Sequence, residues 1–156
     1  MRVDVAIDYE KLARAADRSQ EIAVQEIRRG LLEACRLVQR EAREKHRFRS
    51  KTGQLEKAVV YEVDAGKAEG VISLDENTAY YAPFVHQGTR PHEIRPRNKL
   101  ALRWPEGDHF VFAKRVHHPG TGKDPFLYEA ADRSREEINA IFARHVDEAF
   151  RRAGLA

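Results

Sequence analysis

Tyr80-Tyr81-Ala82-Pro83-Phe84-Val85-His86-Gln87-Gly88-Thr89 divides the chain in two. Upstream of it, apolar residues recur every three to four positions. Downstream they alternate, until a second helical run opens at Pro125-Phe126-Leu127. The stretch itself predicts a short helix through Tyr81 to His86, with Asn77 or Thr78 as its cap. Pro83 suits the first turn, where its missing N–H is not needed, and Gly88 is a natural C-terminal stop. Its aromatic residues, proline and Gly-Thr end form no catalytic constellation. It reads as a docking knob that the rest of the chain is built to hold.

Moving outward toward the N-terminus, Val3, Val5 and Ile7 alternate with Arg2, Asp4 and Ala6, a strand pattern with one buried face. Asp8 then stands as the cap of a short helix running to Asp17, and Ser19 as a second cap. From there to about His46 the period is helical. Ala23, Ile27, Leu31, Ala34, Val38 and Ala42 form the apolar stripe, with Cys35 beside it. Gln25, Arg29, Arg36, Arg40, Arg43 and Glu44 lie opposite. Gly30 costs about 1 kcal/mol against alanine inside a helix and predicts a local bend. A helix of this length spans roughly 40 Å. It therefore packs across a whole sheet or touches a neighbouring subunit. Arg43, Lys45, Arg47, Arg49 and Lys51 make the densest basic run, a candidate DNA-proximal segment for which a solvated loop is the simpler reading. Lys57 to Asp64 predicts a strand and Val71 to Leu74 its hairpin partner across a Gly-containing loop.

Toward the C-terminus, Pro91 and Pro96 make Thr89 to Lys99 an extended basic loop rather than a helix or central strand. Leu100, Leu102 and Trp104 predict one strand, and Pro105 to Asp108 a turn. Phe110 and Phe112 predict a second strand that could reach Val116. Alternation on one face makes Trp104, Phe110 and Phe112 sheet core rather than a base-stacking platform. His117 to Asp124 reads as a flexible loop. Asp124 caps a final helix, with Pro125 at its first position, running to Ala153 on a stripe of Phe126, Ala130, Ile138, Ile141, Phe142, Val146, Ala149 and Phe150.

The expected fold is α+β. Long N- and C-terminal helices pack on an antiparallel sheet of about four to five strands, with a short central helix and long loops. At 156 residues and 42% apolar content the chain fits one domain, 1–156. The charged fraction of 34% exceeds the usual quarter and predicts a large solvated or partner-facing surface. A net charge of +3 is too small for a dedicated DNA reader. One cysteine gives no disulfide framework and fits a reducing cytoplasm. No run approaches the ~20 apolar residues of a membrane span, so no membrane partner is expected.

Catalytic chemistry finds no foothold. The seven histidines lack the H-E-x-x-H spacing. Gly120-Thr121-Gly122-Lys123 lacks the earlier glycine and the following Ser or Thr of a phosphate loop, positions held by His117 and Asp124. No G-x-S-x-G elbow occurs. Cys35 reads as a small core residue, and Glu136-Glu137 as solvated. No catalytic, cofactor-binding or metal residue is expected, and no enzyme. Two alternatives stay open: a basic nucleic-acid-binding module, and a His-dependent metal hydrolase.

Taken in order, the motifs carry a likeness. Thr52-Gly53-Gln54-Leu55 opens a strand after the long helix. Tyr81-Ala82…Val85…Gly88-Thr89 is similar to a Tyr-Ala-x-x-Val-x-x-Gly-Thr signature. His92-Glu93-Ile94-Arg95-Pro96, Leu100 to Trp104, His118-Pro119-Gly120 and Pro125-Phe126-Leu127 with Ala130 follow. Over residues 20 to 135 the chain resembles the tail-completion, or head-to-tail joining, proteins of long-tailed bacteriophages. His86-Gln87 departs from it where members often carry a glutamate. The resemblance implies a structural, non-enzymatic virion protein of the neck, assembled in the host bacterial cytoplasm. It implies a homo-oligomeric ring, typically a hexamer. Its partners would be the connector or stopper protein on the capsid side and the tail terminator or tail tube on the other. DNA would pass through its channel without sequence-specific binding. On this reading the interface candidates are Tyr81, Phe84, His86, Gly88, Thr89, Arg90, His92, Arg95, Arg97, His117 and His118.

Overall fold

The structure, a computed structural model, describes the backbone of residues 9–154 and side chains from Arg18 onward. The strand expected at Arg2 to Ile7 and the Asp8 cap lie outside the described residues. The first described element is one helix, α1 (Tyr9–Glu44), with no break at Asp17 or Ser19. At 1.5 Å per residue it is about 54 Å long. Its stripe is buried at Leu31, Ala34, Val38 and Ala42, together with Cys35, while Ile27 is left at the surface.

Helical structure runs unbroken through Gly30. A β-carbon there would lie 3.2 Å from the Phe142 ring, so the glycine admits a close helix–helix approach. The partner is α5 (Arg135–Ala153), which lies along α1. It is preceded by α4 (Phe126–Arg133), so the expected final helix is two helices meeting at Ser134. Ser134 is buried and keeps helical bonding on both sides, to Ala130 and from Ile138. Neither proline nor glycine marks the joint.

Thr52-Gly53 is followed by a one-turn helix, α2 (Gln54–Lys57), rather than by a strand. It buries Leu55. Strand β1 (Val59–Asp64) pairs antiparallel with β2 (Glu69–Leu74), from Val59↔Leu74 to Asp64↔Glu69. The expected short helix is α3 (Ala82–Gln87), with Pro83 in its first turn and Gly88 ending it. The core joins α1 to these pieces: Val38, Ala42, Leu55, Ala58, Val59, Ala79, Ala82, Phe126 and Ala130.

The α+β class holds, with one difference in the sheet. The six strands form three two-stranded ribbons and no wider sheet among the described residues. The loop at Thr89 to Lys99 contains β3 (His92–Ile94), and the loop after Val116 begins with β6 (Val116–His118). These pair with each other. Beyond them β4 (Leu102–Glu106) and β5 (His109–Ala113) form a hairpin with Gly107-Asp108 at its tip. Pro105 belongs to the strand and faces Phe110 in register, and β5 stops at Ala113 instead of reaching Val116. A terminal two-stranded ribbon leaves one edge of each strand unpaired, which is why a proline fits there.

Candidate assembly surface

Residues 87–123 contain no buried residue. They form an arm that leaves the helical body after α3 and returns to it at Asp124. At the root, Thr89 and Thr121 exchange backbone bonds of 3.0 and 3.2 Å. The Thr89 hydroxyl also accepts from the Thr121 N–H at 2.9 Å. Gly88 and Gly120 let the two passes cross so closely. Both have positive φ, and a β-carbon on Gly88 would sit 2.8 Å from the Thr121 oxygen.

Further out, His92 and His118 stack across the ribbon with ring centres 5.0 Å apart. Glu93 holds Arg95 at 2.9 Å and Arg115 at 3.5 Å. On the terminal hairpin the expected sheet core is absent. Phe110 is 52% and Phe112 65% exposed, and Trp104 is half-buried. Among the described residues no second layer covers the hairpin. The Arg103 guanidinium lies 3.6 Å above the Phe110 ring, a cation–π contact at the surface. Leu100, at the bend between the ribbons, is 96% exposed.

The knob before the arm divides by depth. Tyr80 and Phe84 face outward, and Tyr81 is half-buried. His86 is interior, so it is not the surface contact expected. Its ring meets Phe126 and Tyr128 edge-on at 5.4 and 4.7 Å. Burial pushes its pKa below the usual histidine value. Lys123 adds to the shift and Asp124 opposes it. His86 Nε2 has no hydrogen-bond partner among the described residues. Of the other interface candidates, Gly88 and Thr89 build the arm's root. Arg90, His92, Arg95, Arg97 and His117 are exposed along the arm, with His118 half-buried.

Asp124 does not cap α4. The residue before that helix is Pro125, with no side-chain cap. The Asp124 carboxylate, itself buried, accepts from the backbone N–H groups of Arg47 and Phe48 at 2.7 and 2.8 Å. It thereby ties the chain beyond α1 to the returning end of the arm. Arg47 extends the tie to Glu129 at 2.6 Å. Two further members of the basic run are engaged within the chain: Arg43 donates to the Val59 carbonyl and Lys45 pairs with Glu41. Arg49 and Lys51 remain exposed.

One cluster escaped the sequence reading. Glu26 is 2% exposed and accepts from Arg29 and His145, each at 2.8 Å, and from Arg152. Burial alone would raise its pKa, but hydrogen bonds from His145 and Arg152 and the charge of Arg29 outweigh burial and hold it below the ordinary value. These partners clamp α1 to α5 beside an open apolar groove lined by Ala23, Ile27, Phe142, Val146 and Phe150. A glutamate within a helix gives no sign that its partners lie more than a hundred residues away.

Among the described residues, no three His, Cys, Asp or Glu side chains are grouped to hold a metal ion. Nor is any described helix long and apolar enough to cross a membrane. No known family profile, curated protein or solved structure matches the chain.

Proposed function

We propose that this chain is a structural subunit of the neck of a long-tailed bacteriophage. It would assemble into a ring, as a hexamer, between the capsid connector or stopper and the tail terminator or tube, around the channel through which DNA passes. The ordered motifs from Thr52 to Ala130 suggest the family. The observation that carries the assembly role is the arm: residues 87–123 fold into paired strands yet bury nothing. A two-stranded ribbon is marginal by itself in water, and exposed aromatic residues with arginine are favoured interface anchors. An arm of this composition gains its cover from a partner.

Replacing 90–120 by a short Gly-Ser linker tests the role, because Thr89 and Thr121 already lie within bonding distance. The shortened chain should keep its helical content. In a phage lacking its own joining protein it should leave heads and tails separate, where the full chain joins them. Joined particles at full yield from the shortened chain would overturn the reading.

A further inference from the structure

The arm and the first hairpin carry opposite charge. Residues 87–123 hold eight basic and three acidic residues, a net of +5, while the rest of the chain is −2. Much of the compensating charge lies in residues 59–76, with five acidic residues and one lysine, a net of −4. Three of the five acidic residues, Glu62, Asp64 and Glu69, lie on the two strands, and those three share one face. Val59, Ile72 and Leu74 turn toward the core, and Tyr61 accepts a bond from Arg36 of α1. Strand alternation therefore sends Glu62, Asp64, Glu69 and Val71 to the other side. All four are exposed, and no element of the same chain covers that face among the described residues.

On the terminal hairpin, Arg103 pairs with Phe112 and Pro105 with Phe110 in register, so these four share one exposed face. Each copy thus offers an aromatic hairpin flanked at its base by Arg97, Lys99, Lys114 and Arg115, and an acidic ribbon face with Val71 at its centre. We propose that the arm of one copy lies along the outer face of the β1–β2 hairpin of the next. Phe110 and Phe112 cover Val71, and the arm's arginines and lysines face Glu62 and Glu69. The inference rests on the ring reading above and supplies its contact. The donor and acceptor surfaces differ, so the contact is head-to-tail, the kind that builds a ring when the rotation between copies closes. Nucleic acid would suit the basic arm alone. The acidic face on the same chain favours a second copy instead.

Charge reversal in two places tests the contact in the full chain. One variant carries Arg97→Glu, Lys99→Glu and Lys114→Glu on the arm. The other carries Glu62→Lys and Glu69→Lys on the outer face of the hairpin and Glu76→Lys just beyond β2. All six positions are exposed, so both variants should keep the wild-type circular dichroism spectrum. By sedimentation velocity at low salt, the wild type should form a closed oligomer that dissociates as salt is raised, since screening weakens exposed charge pairs. Each variant alone should be monomeric. Their equimolar mixture should regain an oligomer in which the two variants alternate, because each arm then meets a face of opposite charge. Both sets combined in one chain should restore the oligomer. A wild type that is monomeric at every salt and protein concentration overturns both the contact and the ring reading. A full oligomer from either single variant overturns the contact and leaves the ring standing. Loss of assembly on arm reversal but not on hairpin reversal assigns the arm another partner and also overturns the contact.

Discussion

The helical body and the arm are held together by different means. In the body, α1 spans the whole length and α5, α4, α3 and the first hairpin close on it around fully buried Phe126. In the arm, backbone pairing and the bonds at Thr89–Thr121 maintain the shape, and Phe110 and Phe112 face solvent. Hydrophobic burial is the dominant stabilising contribution in folding. The arm is therefore carried by the body, and its apolar surface remains available for association.

The largest expected effect sets one phenylalanine against another. Phe126→Ala removes a ring with 0% exposure and should cost about 3–5 kcal/mol of unfolding free energy. Phe112→Ala should stay within about 0.5 kcal/mol, as surface substitutions usually do. Urea denaturation of both variants at high salt, where the copies are apart, reads the contrast. A cost for Phe112→Ala approaching that of Phe126→Ala would mean the arm packs on its own body, and the distinction would fail.

Asp124 sits where the two regions join. Asp124→Ala leaves the N–H groups of Arg47 and Phe48 without their acceptor, a loss of about 1–3 kcal/mol for each unsatisfied buried group. Hydrogen exchange should quicken at those two amides first. Asp124→Asn keeps an acceptor and should cost less. Equal exchange protection at Arg47 and Phe48 in Asp124→Ala would show that the tie does not depend on the carboxylate.

How legible each region was follows from the same division. Three- and four-residue spacing found the stripe of α1 because burial on α1 is periodic. Pro83 and Gly88 bounded α3 because each has a backbone role that few other residues fill. Alternation located β4 and β5 but not β3 and β6, which fall in stretches that read as loops, and it describes a strand with two unlike faces equally well with or without a covering layer. Trp104, Phe110 and Phe112 therefore read as core. The joint at Ser134 left no signal, since helical bonding persists through it. Asp124 before Pro125 looks like a helix cap in the sequence. Its actual partners, the amides of Arg47 and Phe48, are identifiable only in three dimensions. Among the surface candidates, the arm's basic positions were readable as exposed loop chemistry, whereas the burial of His86 depends on Phe126 and Tyr128 from a distant helix.

The arm's own glycines sharpen the contrast between root and tip. Gly88→Ala forces a left-handed backbone position and sets a β-carbon 2.8 Å from the Thr121 oxygen. Strain of about 1–3 kcal/mol is expected from the backbone position alone, and the threonine pair should loosen. Gly107 also has a positive φ, but nothing lies within 4 Å of an added β-carbon. Gly107→Asn should be close to neutral, because asparagine tolerates that conformation. Thermal melts of the two variants provide the comparison, and equal costs would show that the root is no tighter than the tip.

The smallest effect concerns His86, at the last buried position before the arm. Its folded pKa is depressed, chiefly by burial, so the unfolded chain takes up a proton at higher pH than the folded one. Stability must then fall as pH drops from about 6.5, the ordinary histidine value, through the folded value. Above that window His86 is neutral in both states and contributes no slope. Glu26 acts in a separate range. Its folded pKa is lowered, so its contribution is complete above the ordinary carboxylate value of 4.5 and fades as pH falls through the folded one. Between pH 6.5 and 5 the titration of His86 can thus be separated from that of Glu26. His86→Phe, which keeps an aromatic ring against Phe126, should flatten the urea midpoint over that range without changing its shape below pH 4.5. An unchanged slope in His86→Phe would mean that His86 takes up its proton as readily folded as unfolded, and that the boundary between buried body and open arm lies before it.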